Sequence, residues 1–187
     1  MIAPLDIVAV LNQARVNFVL VGAHGLTGWV ADPRATGDVD VVVMSRHLKR
    51  ATRVLLETFP NLDTIDHPAV VRFRDRASGK IVIDVLKQRE LYREVFKHTC
   101  VVSAAGQTYK IPSLEMALTM KFAAMLSPNR DDADRFQDAH DFINIVRANP
   151  EMDRKKAAAL GELVHEGGGN DLLEMVRKVQ AGEKLTL

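Results

Sequence analysis

Asp38-Val39-Asp40 opens a valine-rich run that continues to Met44. On a β-strand, side chains two residues apart point to the same face, so these two carboxylates project side by side. Like charges that close repel and raise each other's pKa unless a cation sits between them. The strand beyond them is too apolar for a solvated edge, which places the pair at the mouth of a core. A divalent, oxygen-seeking cation resolves the repulsion. The plainer alternative is that Asp38 caps the preceding loop and Asp40 is an exposed alternating residue. The local context favours the metal. A buried apolar run from Phe18 ends at Gly22, a short helical segment starts near Ala23, and a loop with Pro33, Arg34, Thr36 and Gly37 leads into the aspartates.

Two further residues stand out by their surroundings. Asp84 lies inside the run Lys80 to Leu86, between Ile83 and Val85. A charged carboxylate in a buried strand is costly unless paired, so Asp84 needs a partner. Lys121 falls in a predicted helix from Ser113 to Leu126, within an apolar stripe formed by Leu114, Ala117, Leu118 and Met125. It either snorkels to solvent or meets an anion. Because methionine suits such a stripe, Lys121→Met is expected to leave the fold intact. In the next helix, from about Asp131 to Ala148, Asp138 sits at the margin of the arc of Phe136, Ala139, Phe142, Ile143 and Val146. Arg135 and Asp138, three residues apart, could simply pair.

These residues together resemble the nucleotidyltransferase superfamily that includes DNA polymerase β. Its signature is a strand, a glycine turn at a helix start, and an aspartate pair on the next strand. Gly22-Ala23 and Asp38-Val39-Asp40 stand in those places. The Arg34, Thr36, Asp38, Asp40 form looks most like the AbiEii-type toxins and related bacterial nucleotidyltransferases. Ala23 departs from the pattern, since many members carry a serine there. The resemblance implies transfer of a nucleoside monophosphate from an NTP to a hydroxyl or phosphate acceptor. Asp38, Asp40 and Asp84 would hold Mg²⁺ or Mn²⁺, with Asp84 near the acceptor proton. Gly22 and Ala23 would cradle the triphosphate through backbone N–H groups, and Arg34 and Thr36 would belong to the same nucleotide site. Lys121 would neutralise the triphosphate, and Asp138, with Asp141 as runner-up, would orient it. It also raises a tRNA or other RNA acceptor and a cognate antitoxin as partners. The alternative is a nucleotide-binding regulator or antitoxin-type protein with the same fold and no turnover, which Ala23 favours; a third is an interaction module whose carboxylates merely cap and pair.

The elements that must position these residues are legible in outline. A helix over Pro4–Ala14 starts on a proline suited to a first turn. After the two central runs, Ser45 can cap a helix from Arg46 to Thr58 whose Arg46, Lys49, Arg50 and Arg53 form a basic face. Ala69 to Asp75 alternates Val71 and Phe73 with Arg72 and Arg74, and Arg76 continues the basic side. Ser78-Gly79 turns the chain into the strand that carries Asp84. A charged helix over Gln88–His98 precedes two short strands, Thr99–Ala104 and Gln107–Ile111, expected to extend the sheet. Beyond Pro112-Ser113 the periodicity is helical, ending in helices over Met152–Val164 and Asp171–Val179 joined by the glycine-rich Glu166 to Asn170. The expected fold is therefore α+β: a small mixed β-sheet with flanking helices over 1–111, then a helical region over 112–187 completing the active-site cleft.

The composition is that of a globular soluble protein, which argues against disorder: 47% of the 187 residues are hydrophobic and 26% charged. A net charge of +1 excludes a globally basic nucleic-acid binder, so local patches must carry any affinity for phosphate. The single cysteine, Cys100, excludes an intrachain disulfide and a cysteine zinc cage. No signal-like or membrane-length apolar segment is present, so no membrane partner and a cytoplasmic setting are expected. The histidines carry little signal: His24 follows the glycine turn and could lean on a phosphate, but surface or packing roles suit it and His140 better.

Overall fold

The computed structural model describes residues 2–89 and 91–185. The chain divides into a sheet unit, residues 1–26 with 33–112, and a helical unit, residues 27–32 with 113–187.

The sheet unit is built around five strands, β1 (Phe18–Leu20), β2 (Val39–Val43), β3 (Leu62–Asp66), β4 (Val70–Asp75) and β5 (Ile81–Lys87), in the order β1-β2-β5-β4-β3. β2 and β5 pair in parallel and every other neighbouring pair is antiparallel, which makes the sheet mixed as expected. One face is apolar: Val39, Val41 and Val43 of β2, Ile83 and Val85 of β5, and Val71 and Phe73 of β4 are all buried. Helix α1 (Pro4–Gln13) contributes Ile7, Val8 and Leu11 to this core, and α3 (Leu48–Thr58) contributes Ala51 and Leu55. The first turn of α1 is closed by Asp6, whose carboxylate accepts from the Ala3 amide at 3.1 Å. Between β1 and β2 lies the short helix α2 (Gly22–Gly25).

Several expectations on this unit are corrected. Ser45 to His47 form a separate 3₁₀ turn, so Arg46 is not on the α3 face that exposes Lys49, Arg50 and Arg53. β3 is a strand that the sequence pattern does not announce, because only Leu62 and Ile65 among its five residues are apolar. The helix expected over 88–98 shrinks to α4 (Leu91–Val95), and Glu90 of that expectation lies outside the described residues. β6 (Thr99–Ala104) and β7 (Gln107–Pro112) form their own two-stranded sheet and do not extend the main one. β7 nevertheless packs against β1 and is tied to α1, where the Asn12 amide donates to Gln107 Oε1 and the Thr108 carbonyl.

The helical unit comprises α5 (Leu114–Met125), α6 (Asp132–Ala148), α7 (Arg154–Gly161) and α8 (Gly168–Gln180). Asp131 caps α6 by accepting from the Asp134 amide at 2.8 Å, so the acidic stretch there serves a helix N-terminus. α5 is buried around most of its circumference: Glu115, Met116, Thr119 and Phe122 are as enclosed as Ala117 and Leu118. It is the central helix of this unit, with no single apolar stripe. The glycines expected to link the last two helices instead begin α8, and they let α7 and α8 touch backbone to backbone. A Cβ on Gly168 would lie 2.4 Å from the Gly161 carbonyl oxygen. Among the described residues, no helix is long and apolar enough to cross a membrane.

Candidate active site

The polar face of the main sheet holds the first cluster. Asp40 of β2 and Asp84 of β5 are direct partners in the parallel register, so their side chains leave the same face of adjacent strands. The register places Arg72 of β4 directly across from Asp84 on the other side, and Arg72 Nε lies 3.7 Å from Asp84 Oδ2. The Asp84 side chain keeps 16% of its surface exposed and that of Arg72 48%. A charged row, Asp40-Asp84-Arg72, thus crosses three strands opposite the valine core. One step along β4, Arg74 makes a two-pronged ion pair with Asp63 of β3, at 3.0 and 2.9 Å. That hydrogen bonding holds the Asp63 carboxyl below the usual carboxylate range.

Gly22 shapes the space beside Asp40. Its φ of +60° belongs to the left-handed region, and a Cβ there would stand 1.9 Å from Asp40 Oδ2. Only glycine lets the end of the β1 segment approach that carboxylate so closely. The Val21 amide donates to the Asp40 carbonyl at 2.9 Å, fixing the turn to β2. Ala23, in the same turn, is buried.

Asp38 lies just before β2 and is half-buried, and its Oδ1 accepts from the Thr36 hydroxyl. His24 of α2 meets Asp38 through charge and a backbone hydrogen bond. Burial pushes the His24 imidazole below its usual range, and Asp38 offsets only part of that. Arg34 is exposed on the loop and close enough to act on His24 electrostatically. His24 follows the glycine turn in sequence, but its contact with Asp38 is not foreshadowed there. The contact depends on the 23–37 loop folding back, which no local periodicity encodes.

Among the described residues, no three His, Cys, Asp or Glu side chains are already gathered as a metal cage. Asp40 and Asp84 nonetheless fit a hard divalent cation. They are carboxylates on one face in direct register, and the missing Cβ of Gly22 leaves the room Asp40 occupies. Asp38, the third carboxylate expected at such a site, lies just before β2 with its Oδ1 engaged by Thr36.

The helical unit carries a second cluster, which is buried. Lys121 Nζ lies 2.8 Å from Asp138 Oδ1 and 2.6 Å from Asp141 Oδ2. Arg130 reaches Asp138 Oδ2 at 3.0 Å, and Gln137 donates to Asp141 Oδ1 at 3.3 Å. Lys121, Asp138 and Asp141 are each less than a tenth exposed. The anion that Lys121 requires is thus supplied by two aspartates, and the side chain does not snorkel. Asp138 does not pair with Arg135, which binds the Met125 carbonyl and Asp132 instead. A second ion pair of this unit, buried Glu115 with the partly exposed Lys156 at 2.7 Å, has no counterpart in the sequence reading. Its signal is Glu115 itself, an acid at the first turn of the central helix.

No protein-family model and no curated protein sequence matches this chain. Solved structures do. The chain is similar to an antigenic nucleotidyltransferase-like protein from Paracoccidioides brasiliensis, with a TM-score of 0.56 at 21% identity over 92% of this chain and 89% of that one. It is also similar to ANT(2")-Ia in complex with adenylyl-2"-tobramycin, with a TM-score of 0.52 at 10% identity over 94% of each chain. A third is the lincosamide antibiotic adenylyltransferase LnuA with lincomycin bound, at 0.50 and 14% over 75% of this chain and 92% of that one. At such identities the likeness is one of fold, and the α+β architecture expected from the sequence is the one these nucleotidyltransferases share.

Proposed function

We propose that this chain is a metal-dependent nucleotidyltransferase that moves a nucleoside monophosphate from an NTP to a hydroxyl or phosphate acceptor. The observation that carries the reading is the register of Asp40 with Asp84 on a sheet face opened by Gly22, in a fold shared with adenylyltransferases. Asp38, Asp40 and Asp84 would hold Mg²⁺ or Mn²⁺, which when bound neutralises the triphosphate and steadies the leaving pyrophosphate. Asp84 is assigned to the acceptor, where its carboxylate takes the hydroxyl proton. Gly22 and Ala23 offer backbone N–H groups to the phosphates, and with Ala23 in place of a serine those amides do that work alone. Thr36 holds Asp38 and His24 braces it, while Arg34 supplies positive charge on the same loop. The resemblance assigns Lys121 to the triphosphate, and its 2.8 Å contact with Asp138 supports the orienting half of that assignment.

The acceptor is proposed to be a small molecule carrying a hydroxyl, by analogy with the structures bound to lincomycin and to an adenylylated tobramycin. A tRNA acceptor, which the AbiEii-like, toxin–antitoxin reading raises, would call for a local phosphate track, for which Arg72, Arg74 and Arg76 along β4 and the chain after it are candidates. Two of those three arginines face Asp84 and Asp63, so the strand is charge-balanced and favours that reading less.

The test is melting of the wild-type protein and of Asp40→Asn with each NTP, with Mg²⁺ and with excess chelator. A Mg²⁺-dependent rise in melting temperature with an NTP, lost in Asp40→Asn, is expected. An equal rise in the variant, or none in the wild type, counts against the reading.

A further inference from the structure

Arg72 has no part in the reading above, yet it is the cation set against Asp84. The two are cross-strand partners in register, 3.7 Å apart, and the arginine side chain is 48% exposed while the aspartate is 16% exposed. The neighbouring arginine is placed differently. Arg74 is engaged by both prongs of its guanidinium with Asp63, at 2.9 and 3.0 Å, an arrangement that leaves little to exchange. The longer Arg72 contact, made by Nε with half the side chain in solvent, is the weaker of the two and the one positioned to change partners.

We propose that Arg72 and the divalent cation compete for Asp84, and that Arg72 is the donor-phosphate ligand of the site once the cation takes that carboxylate. The inference rests on the metal site proposed above and adds a residue and a sequence of events to it. Arg72 bears on Asp84 as an internal counter-ion. A divalent cation arriving at Asp40 and Asp84 displaces it, and the guanidinium, on a half-exposed stem on the same face, turns to the polyphosphate. Arginine suits this exchange because its planar fork matches carboxylate and phosphate oxygens alike. No covalent bond changes in the exchange.

This predicts two effects of opposite sign from one substitution. Removing the positive charge of Arg72 removes a competitor and a like charge, so the metal alone binds more tightly. One unit charge a few ångströms from a divalent ion, screened by water, is worth about tenfold in affinity. The same substitution removes a charge-assisted hydrogen bond to phosphate, so a polyphosphate binds about ten- to a hundredfold more weakly in the presence of the metal.

The experiment uses the full chain as wild type, Arg72→Gln and Arg72→Lys, with melting recorded to show that all three are folded. Mn²⁺ binding is followed by the spin-resonance signal of free Mn²⁺, and inorganic tripolyphosphate is titrated calorimetrically at saturating Mn²⁺. Arg72→Gln is expected to bind Mn²⁺ more tightly and tripolyphosphate more weakly. Arg72→Lys, which keeps the charge, is expected to return Mn²⁺ affinity to the wild-type value. If the wild type binds Mn²⁺ but Arg72→Gln binds it equally or less well, or holds tripolyphosphate unchanged, the inference is overturned alone. If the wild type does not bind Mn²⁺, the metal site proposed above fails and the inference falls with it.

Discussion

Replacing Lys121 by methionine tests the account of the helical unit most severely, because the sequence and the structure predict opposite outcomes. Seen as one residue in an apolar stripe, Lys121 could become methionine at no loss. In the structure its ammonium holds two buried carboxylates, Asp138 at 2.8 Å and Asp141 at 2.6 Å. The substitution leaves Arg130 on Asp138 and the Gln137 amide on Asp141, but takes from both the ammonium that lies between them. Breaking a buried pair from one side costs about 3–5 kcal/mol, because the remaining charge stays buried without its counter-ion. With a urea dependence of about 2–3 kcal/mol per molar, the unfolding midpoint should fall by about 1–2 M. Adding Asp141→Leu to Lys121→Met should recover much of the stability, and the two changes should be strongly non-additive. A Lys121→Met midpoint within experimental scatter of the wild type at neutral pH would refute the argument.

Four other outcomes follow. Gly22→Ala should abolish Mn²⁺ binding while the chain still folds, since the new Cβ would sit 1.9 Å from Asp40 Oδ2 and must displace it; spin resonance with a melting control checks this. Gly168→Ala should destabilise by about 1–3 kcal/mol through overpacking, read from urea unfolding, because the Gly161 carbonyl lies 2.4 Å from the added carbon. Asp63, held below its ordinary 3.8 by Arg74, contributes stability that is full above that value and is lost as pH falls through the lowered one. Asp63→Asn should therefore flatten the acid limb of the pH–stability curve, and added salt should flatten it in the wild type. Glu162→Ala should lower the melting temperature by loosening the start of α8, because its carboxylate accepts from the Gly167 and Gly169 amides.

What the sequence shows depends on whether its signal is local. The valines flanking Asp40 and the alternation of Val71 and Phe73 before Ser78-Gly79 announce β2, β4 and the hairpin into β5 within a few residues of chain. The pairing of β5 with β2, which sets Asp84 beside Asp40, joins segments far apart in sequence and came from the resemblance. The separate sheet of β6 and β7 was not legible, because Thr99 to Pro112 reads as strands whichever neighbour they choose. β3 is hidden by its polarity, Asp63 being drawn there by Arg74 across the strand pair. Lys121 is conspicuous in the sequence because a charge stands among apolar residues. Its two partners come from a different helix, and that pairing requires the packing of α5 against α6. His24 and Arg72 entered the site by loop closure and strand register, neither of which leaves a local trace.

The central claim, transfer of a nucleotide and not of a terminal phosphate, is tested most directly by where the label goes. The protein is incubated with Mg²⁺, cell extract and NTPs labelled at either the α- or the γ-phosphate, alongside Asp40→Asn and Asp84→Asn. The account predicts that α-label alone enters a new product, that chelation stops it, and that both variants lose at least about a hundredfold of the rate. Transfer of γ-label, or α-label transfer by both variants at the wild-type rate, would contradict it.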